Sequence, residues 1–208
     1  TPTYDLEDFV KSLERPRRVF LMIKSGKPID MVIDQLMGLL DEGDIIIDGG
    51  NSYFKDTIRR SNYLEDKKIN YLGVGISGGE EGARFGPAIM PSGNKEAYGH
   101  VKDIFEDISA KAYGEACCKY ISTGGSGHYV KMVHNGIEYG DMQLISEAYM
   151  LLRDIGGMDN SQIQEVFEAW NKTELESYLI EITANILKVK EEDGSYLVDK
   201  ILDKSAQK

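Results

Sequence analysis

Four side chains that can transfer protons or bind oxygen atoms recur at helical spacing near the middle of the chain. Lys131, His134, Asn135 and Glu138 stand at i, i+3, i+4 and i+7, and a helix presents such positions on one face. A lysine amine can act as a general base and a carboxylic acid as a general acid when the surroundings adjust their pKa. Two helical turns span about 10 Å, enough for a substrate the size of a sugar acid. The pattern predicts acid–base catalysis in which His134 and Asn135 bind the substrate; a solvated helix face with a charge pair is the open alternative.

Glycine-rich turns follow three predicted strands in the first half of the chain. Short apolar runs at 18–23, 44–48 and 69–76 read as buried strands, and helical patterns begin near Pro28 and Phe54. This alternation predicts a parallel sheet covered by helices, with its strand ends facing one ligand crevice. The loops after these strands are therefore expected to converge. The glycine-dense segment 77–87 reads as a binding loop that needs close backbone approach.

The second half of the chain has a mainly helical pattern. A long helix is predicted over 129–155, ended by Gly156 and Gly157, with further helices near 162–170 and 176–186 and a possible strand at 196–198. A further helix is predicted over 94–108. The fold class is α/β followed by all-α, with the domain boundary placed between residues 125 and 126.

Composition excludes several classes of function. The 208 residues include 24 Lys and Arg against 35 Asp and Glu, a net charge of −11 that disfavours nucleic acid as a partner. No apolar run approaches the ~18 residues of a membrane span, and the polar first residues do not resemble a signal peptide. The adjacent Cys117 and Cys118 are expected to be reduced, and no metal site is predicted. We therefore expect a cytoplasmic protein with neither a nucleic-acid nor a membrane partner.

Three segments resemble motifs of the 6-phosphogluconate dehydrogenase family. They are IDGGNS at 47–52, ISGGEEGAR at 76–84 and GHYVKMVHNGIEYGD at 127–141. The resemblance implies a partial Rossmann-like NADP-binding domain over 1–125 and the N-terminal part of a helical domain over 126–208, entered by a long interdomain helix. It also implies oxidative decarboxylation of 6-phosphogluconate to ribulose 5-phosphate with reduction of NADP, in the pentose phosphate pathway, by a homodimer.

The resemblance further implies a role for each matching residue. Lys131 would take the proton from the substrate hydroxyl at carbon three and then assist the loss of carbon dioxide, and Glu138 would protonate the resulting enediol. The substrate would be bound by Asn51, Ser77, Gly78, Gly79, His134, Asn135, Tyr139 and Lys208. The cofactor would be contacted by Met22, Ile23, Lys24 and Asn51.

The sequence departs from the family at both ends. No Gly-x-Gly-x-x-Gly turn precedes the first strand, so the residues that would receive the cofactor pyrophosphate and select NADP over NAD are not in this sequence. Residues 201–208 match only the start of a longer family signature. We therefore expect an internal fragment that lacks the N-terminal βαβ unit and the later helical domain and tail. A catalytically inactive fragment or binding remnant is one alternative. A related β-hydroxyacid dehydrogenase is another, disfavoured by Glu138 and the loop at 77–81.

Overall fold

The computed structural model describes residues 2–202 and 204, and these form two compact units. One unit ends at Asn135 and the other begins at Gly136. The long helix α7 (Ser126–Met150) contributes residues to both. The division predicted at 125/126 from the change of sequence pattern stays a prediction.

The first unit alternates helices and strands. In chain order its elements are α1 (Leu6–Lys11), β1 (Arg18–Leu21), α2 (Lys27–Leu36), β2 (Ile45–Asp48), α3 (Phe54–Glu65), β3 (Asn70–Ser77), α4 (Gly79–Phe85), β4 (Ala88–Gly93), α5 (Lys95–Gly99), α6 (Lys102–Ile108), β5 (Lys111–Ala112) and β6 (Glu115–Ala116). The strands β5 and β6 form a separate short hairpin.

The main sheet has the order β1-β2-β3-β4. Strands β1, β2 and β3 are parallel, with Leu21 beside Asp48 and Asp48 beside Gly73. Their carboxyl ends therefore point to the same side, where ligands bind in sheets of this type. The predicted parallel sheet is confirmed for these three strands, whereas β4 was not predicted and is antiparallel to β3.

Both faces of the sheet are covered, which explains why the strands read as unbroken apolar runs. Ile46 packs in one core with Leu21 and α2 residues, and its neighbours Ile45 and Ile47 pack in the core on the opposite face. Alternate side chains of a strand point to opposite faces, so a strand buried on both sides must be apolar throughout.

Two segments differ from the sequence-based expectation. The helix predicted over 94–108 is two helices, α5 and α6, because α5 ends at Gly99, a residue that favours helix ends over helix interiors. The loop predicted at 77–87 contains the seven-residue helix α4. Its role as a binding loop stays a prediction.

The second unit is helical, as predicted. After α7 come a π-helical turn (Leu151–Ile155), α8 (Asn160–Trp170), α9 (Tyr178–Lys188) and a short 3-10 helix (Leu197–Lys200), the last where a strand was considered. The side chains of Ile163, Phe167, Ile180, Ala184 and Leu187 form its core. Asp159 begins α8 with a capping box, in which its side chain and that of Gln162 bond each other's backbone amides. Within the described ranges, no helix has the length and apolar character needed to cross a membrane.

Candidate active site

The amine of Lys131 lies between two oxygen atoms. Its Nζ donates hydrogen bonds to Ser77 Oγ at 3.0 Å and to Asn135 Oδ1 at 2.7 Å, and the side chain is half-buried. The ring of His134 follows, with Nδ1 3.3 Å from Asn135 Oδ1. The structure thus brings together four of the predicted site residues, two of them 54 positions apart in sequence. An amine held in this way can take a proton from a hydroxyl group placed against it.

Two glycines allow α7 to approach the sheet this closely. A Cβ on Gly75 would lie 2.7 Å from both Gly127 O and Lys131 Cβ. A Cβ on Gly127 would lie 2.1 Å from Met90 O. No real Cβ atom tolerates such distances, so glycine at 75 and 127 is what lets the first turn of α7 lie against β3 and β4. Neither glycine was singled out for this role in the sequence.

The turn after β3 needs glycine for its backbone conformation. Gly78 and Gly79 have φ angles of +144° and +57°, which side chains other than glycine rarely adopt. A Cβ on Gly78 would also lie 2.7 Å from Gly82 Cα, so the start of α4 folds tightly against this turn. Both glycines are exposed directly after Ser77, where a bound ligand can approach the backbone.

The predicted cofactor residues form a second group at the ends of β1 and β2. Gly49 N donates to Leu21 O at 3.0 Å, and a Cβ on Gly50 would lie 3.1 Å from Ile23 O. The loop at 22–24 therefore runs alongside the turn at 49–52. Met22, Ile23, Lys24 and Asn51 are all exposed there. Apolar side chains beside an amide suit a flat aromatic ring that carries polar substituents.

Three further predicted residues belong to the second unit or lie outside the described residues. Glu138 is half-buried and Tyr139 is 68% exposed, both on α7 within the second unit. Lys208 lies outside the described residues. Among the described residues, no group of three His, Cys, Asp or Glu side chains could hold a metal ion.

A buried histidine next to this site was not predicted to have a role. His128 is 2% exposed and its Nδ1 lies 2.7 Å from Thr57 Oγ1, a contact between α7 and α3. Burial lowers the pKa of His128, although the charge of Asp48 and the backbone of Gly50 and Val74 oppose the shift. The imidazole is therefore neutral at pH 7. Its position three residues before Lys131 was the only signal in the sequence.

Two family models match the chain. Residues 1–122 match the NAD binding domain of 6-phosphogluconate dehydrogenase, and residues 127–208 match the C-terminal domain of 6-phosphogluconate dehydrogenase. A Caenorhabditis elegans protein named 6-phosphogluconate dehydrogenase, decarboxylating, is 58% identical over 205 residues, which are 99% of this chain and 42% of the relative. The chain thus spans about two fifths of the length of the curated relatives that it matches.

Two solved structures are similar to this chain, to different degrees. The Plasmodium falciparum 6-phosphogluconate dehydrogenase, described in its apo form and in complex with NADP+ and with 6-phosphogluconate, is similar with a TM-score of 0.94 and 49% identity over 98% of this chain and 44% of that one. A Mycobacterium tuberculosis 3-hydroxyisobutyrate dehydrogenase has a TM-score of 0.68 at 18% identity, covering 85% of this chain and 56% of that one. This second likeness shows a shared fold alone.

Proposed function

The chain belongs to the 6-phosphogluconate dehydrogenase family, and we propose that the full-length protein converts 6-phosphogluconate to ribulose 5-phosphate and carbon dioxide with reduction of NADP. The observation that carries this proposal is the Lys131 amine, held 3.0 Å from Ser77 Oγ and 2.7 Å from Asn135 Oδ1. The Plasmodium enzyme, described with both ligands, supports the choice of substrate and cofactor.

Lys131 acts first as the base in the proposed mechanism. It takes the proton of the substrate hydroxyl at carbon three, and its bonds to Ser77 and Asn135 keep the amine on that side of the helix. NADP, when bound, accepts the hydride from the same carbon. The resulting 3-keto acid loses carbon dioxide while the protonated lysine stabilises the charge that develops on the carbonyl oxygen. Glu138 then protonates the enediol.

The remaining site residues bind the ligands. Asn51, His134 and Tyr139 offer groups that can bond hydroxyl and carboxylate oxygens, and the exposed backbone of Gly78 and Gly79 allows close approach. Asn135 and Ser77 bind both the substrate and the lysine, and Lys208 binds the substrate phosphate. Met22, Ile23, Lys24 and Asn51 hold the nicotinamide end of NADP, because the loop and the turn that carry them run side by side.

The proposal also includes the domain division, the oligomeric state and the cellular location of the protein. The chain is divided into a partial NADP-binding domain at 1–125 and the start of the helical domain at 126–208, and the limits of the two family models support that division. The homodimer follows from the family resemblance, and the cytoplasmic location follows from the composition and the cysteines that are expected to be reduced. We expect no NADP reduction by the chain 1–208 alone, since no Gly-x-Gly-x-x-Gly turn precedes its first strand.

Substitution of Lys131 tests the proposed function. In the full-length protein, Lys131→Met should lower the rate of NADPH formation from 6-phosphogluconate by about 10³-fold, within the range for loss of a general base. Binding of 6-phosphogluconate, measured by calorimetry, should stay detectable. Lys102→Met is the matched control, since Lys102 is exposed and pairs only loosely with Glu106 at 3.8 Å.

Three results would contradict the proposal. Normal turnover by the Lys131→Met variant would exclude the lysine as the base. A wild-type protein that oxidises 3-hydroxyisobutyrate in place of 6-phosphogluconate would favour the β-hydroxyacid dehydrogenase alternative. Clear turnover by purified chain 1–208 would show that the fragment is active.

A further inference from the structure

A buried polar cluster lies directly beneath the turn that follows β2. Its centre is Asp48, whose side chain is fully buried. Gly50 N donates to Asp48 Oδ1 at 3.0 Å, while Ser52 Oγ and Tyr71 Oη donate to Oδ2 at 2.7 and 2.8 Å. The guanidinium of Arg60 stands 3.5 Å from the same Oδ2. A single buried carboxyl group thus collects donors from its own turn, from β3 and from α3.

Arg60 extends the cluster to the loop that follows β1. Its guanidinium donates to Gly26 O at 2.9 Å and to Asp30 at 2.8 Å from Nε and 3.2 Å from Nη2. The side chain is only 2% exposed, and its hydrogen bonds to Asp30 hold the pKa of that carboxyl below its usual value. The buried guanidinium of Arg60 therefore connects Gly26, at the end of the loop at 22–26, with Asp48, at the end of β2.

The cluster holds the residue on each side of Asn51, one through the Gly50 amide and the other through the Ser52 hydroxyl. Gly50 and Ser52, its two neighbours, are each bonded to Asp48. Two glycines precede Asn51, and glycine backbones are the most costly to order. The hydrogen bonds to Asp48 therefore restrict a turn whose backbone would otherwise be highly flexible. The buried groups themselves cannot touch a ligand, since Asp48 and Arg60 are 0% and 1% exposed.

We propose that Asp48, Tyr71 and Arg60 are positioning residues that fix Asn51 and the loop at 22–26 in the geometry that receives the nicotinamide and the substrate. The inference rests on the proposed function, because it takes Asn51 to contact both ligands. It makes Tyr71, which the sequence presents as an ordinary core residue, a determinant of catalysis that acts through Asn51.

Two conservative substitutions in the full-length protein test the proposal. Tyr71→Phe removes one hydroxyl from Asp48 and keeps the ring, and Ser52→Ala removes another. Each should lower kcat/KM for 6-phosphogluconate about tenfold and weaken NADPH binding, measured by fluorescence, to a similar degree. Tyr98→Phe is the matched control: Tyr98 is also buried, at 7% exposed, but its hydroxyl faces Cys118 Sγ. It should change both quantities less than twofold.

A double-mutant cycle separates positioning from mere structural support. If Tyr71 acts through Asn51, the loss caused by Tyr71→Phe should shrink to less than twofold in an Asn51→Ala background. A full tenfold loss in that background would overturn the proposal. So would wild-type kinetics in both Tyr71→Phe and Ser52→Ala.

Amide hydrogen exchange tests the same idea without turnover. The Gly50 amide should exchange about tenfold faster in Ser52→Ala and Tyr71→Phe than in the wild type or in Tyr98→Phe, because its acceptor is less firmly held. Unchanged exchange in both variants would overturn the positioning role. Failure of the wild type to oxidise 6-phosphogluconate would instead refute the proposed function, and the exchange and NADPH-binding results would still decide this proposal.

Discussion

Replacement of Gly75 by alanine should misplace Lys131, the proposed catalytic base, without changing any polar group. The new Cβ would lie 2.7 Å from Gly127 O and from Lys131 Cβ. Since carbon contacts are comfortable at about 3.5–4.0 Å, the first turn of α7 must move away from β3 by about 0.8 Å. The bond between Lys131 Nζ and Ser77 Oγ, now 3.0 Å, would then exceed hydrogen-bond length.

The substitution should slow catalysis in a protein that remains folded. A displacement of this size at a reacting group can cost about 100-fold in rate, so kcat for 6-phosphogluconate should fall by that order. Overpacking should cost about 1–3 kcal/mol in the free energy of unfolding, which leaves the protein folded at assay temperature.

The assay compares full-length Gly75→Ala with Gly99→Ala. A Cβ on Gly99 meets no atom within 4 Å, so that variant should keep the wild-type kcat. Kinetics and urea unfolding are measured on the same preparations. A Gly75→Ala protein with kcat within twofold of the wild type would refute the reasoning that close packing on Gly75 places the lysine.

Three further outcomes are expected from the same structure. Glu138→Gln in the full-length protein should slow enediol protonation about 100-fold or more, measured as deuterium incorporation into ribulose 5-phosphate; an unchanged rate would assign the acid to another group. Burial lowers the pKa of His128, while the unfolded chain keeps it near 6.5, so unfolding binds a proton. Stability should therefore be complete above about pH 6.5 and fall below it by at most about 1.4 kcal/mol per pH unit. In His128→Gln, the free energy of unfolding measured with urea should fall less steeply below about pH 6.5. The same pH dependence in wild type and variant would contradict a neutral, buried His128. Phe167→Ala should destabilise the second unit by about 3–5 kcal/mol, because the ring is fully buried. The fluorescence of Trp170, the one tryptophan in the sequence, reports that unfolding, and an unchanged urea midpoint would argue against the described core.

The strands of the parallel sheet could be predicted because their signal is local. Residues 45–47 are apolar and buried on both faces, so the run alone indicates a strand. Strand β4 could not be recognised in the same way. It contains Pro91 and Gly93, and its hydrogen bonds go to β3 and to residues of the segment 117–122, all distant in sequence. Nothing in 88–93 itself reveals those partners.

The contacts of the site were likewise predictable only where they lie within one element. Lys131 and Asn135 are four residues apart, so helical periodicity predicts that they share a face, and the structure shows a 2.7 Å bond between them. The buried cluster around Asp48 was not foreseen, although Asp48 ends an apolar strand just before two glycines. Its donors Tyr71 and Arg60 lie 23 and 12 residues away, on elements whose packing no spacing rule supplies.

The sequence by itself determined strands β1, β2 and β3, the helices that follow β1 and β2, and the helical face that carries Lys131, His134 and Asn135. These follow from the periodicity of side chains along one segment, which backbone geometry sets. Tertiary structure alone decided that Lys131 meets Ser77. That contact depends on how closely α7 packs against β3, and glycine at 75 and 127 permits the close packing. A glycine in a sequence does not indicate which distant residue will occupy the space beside it.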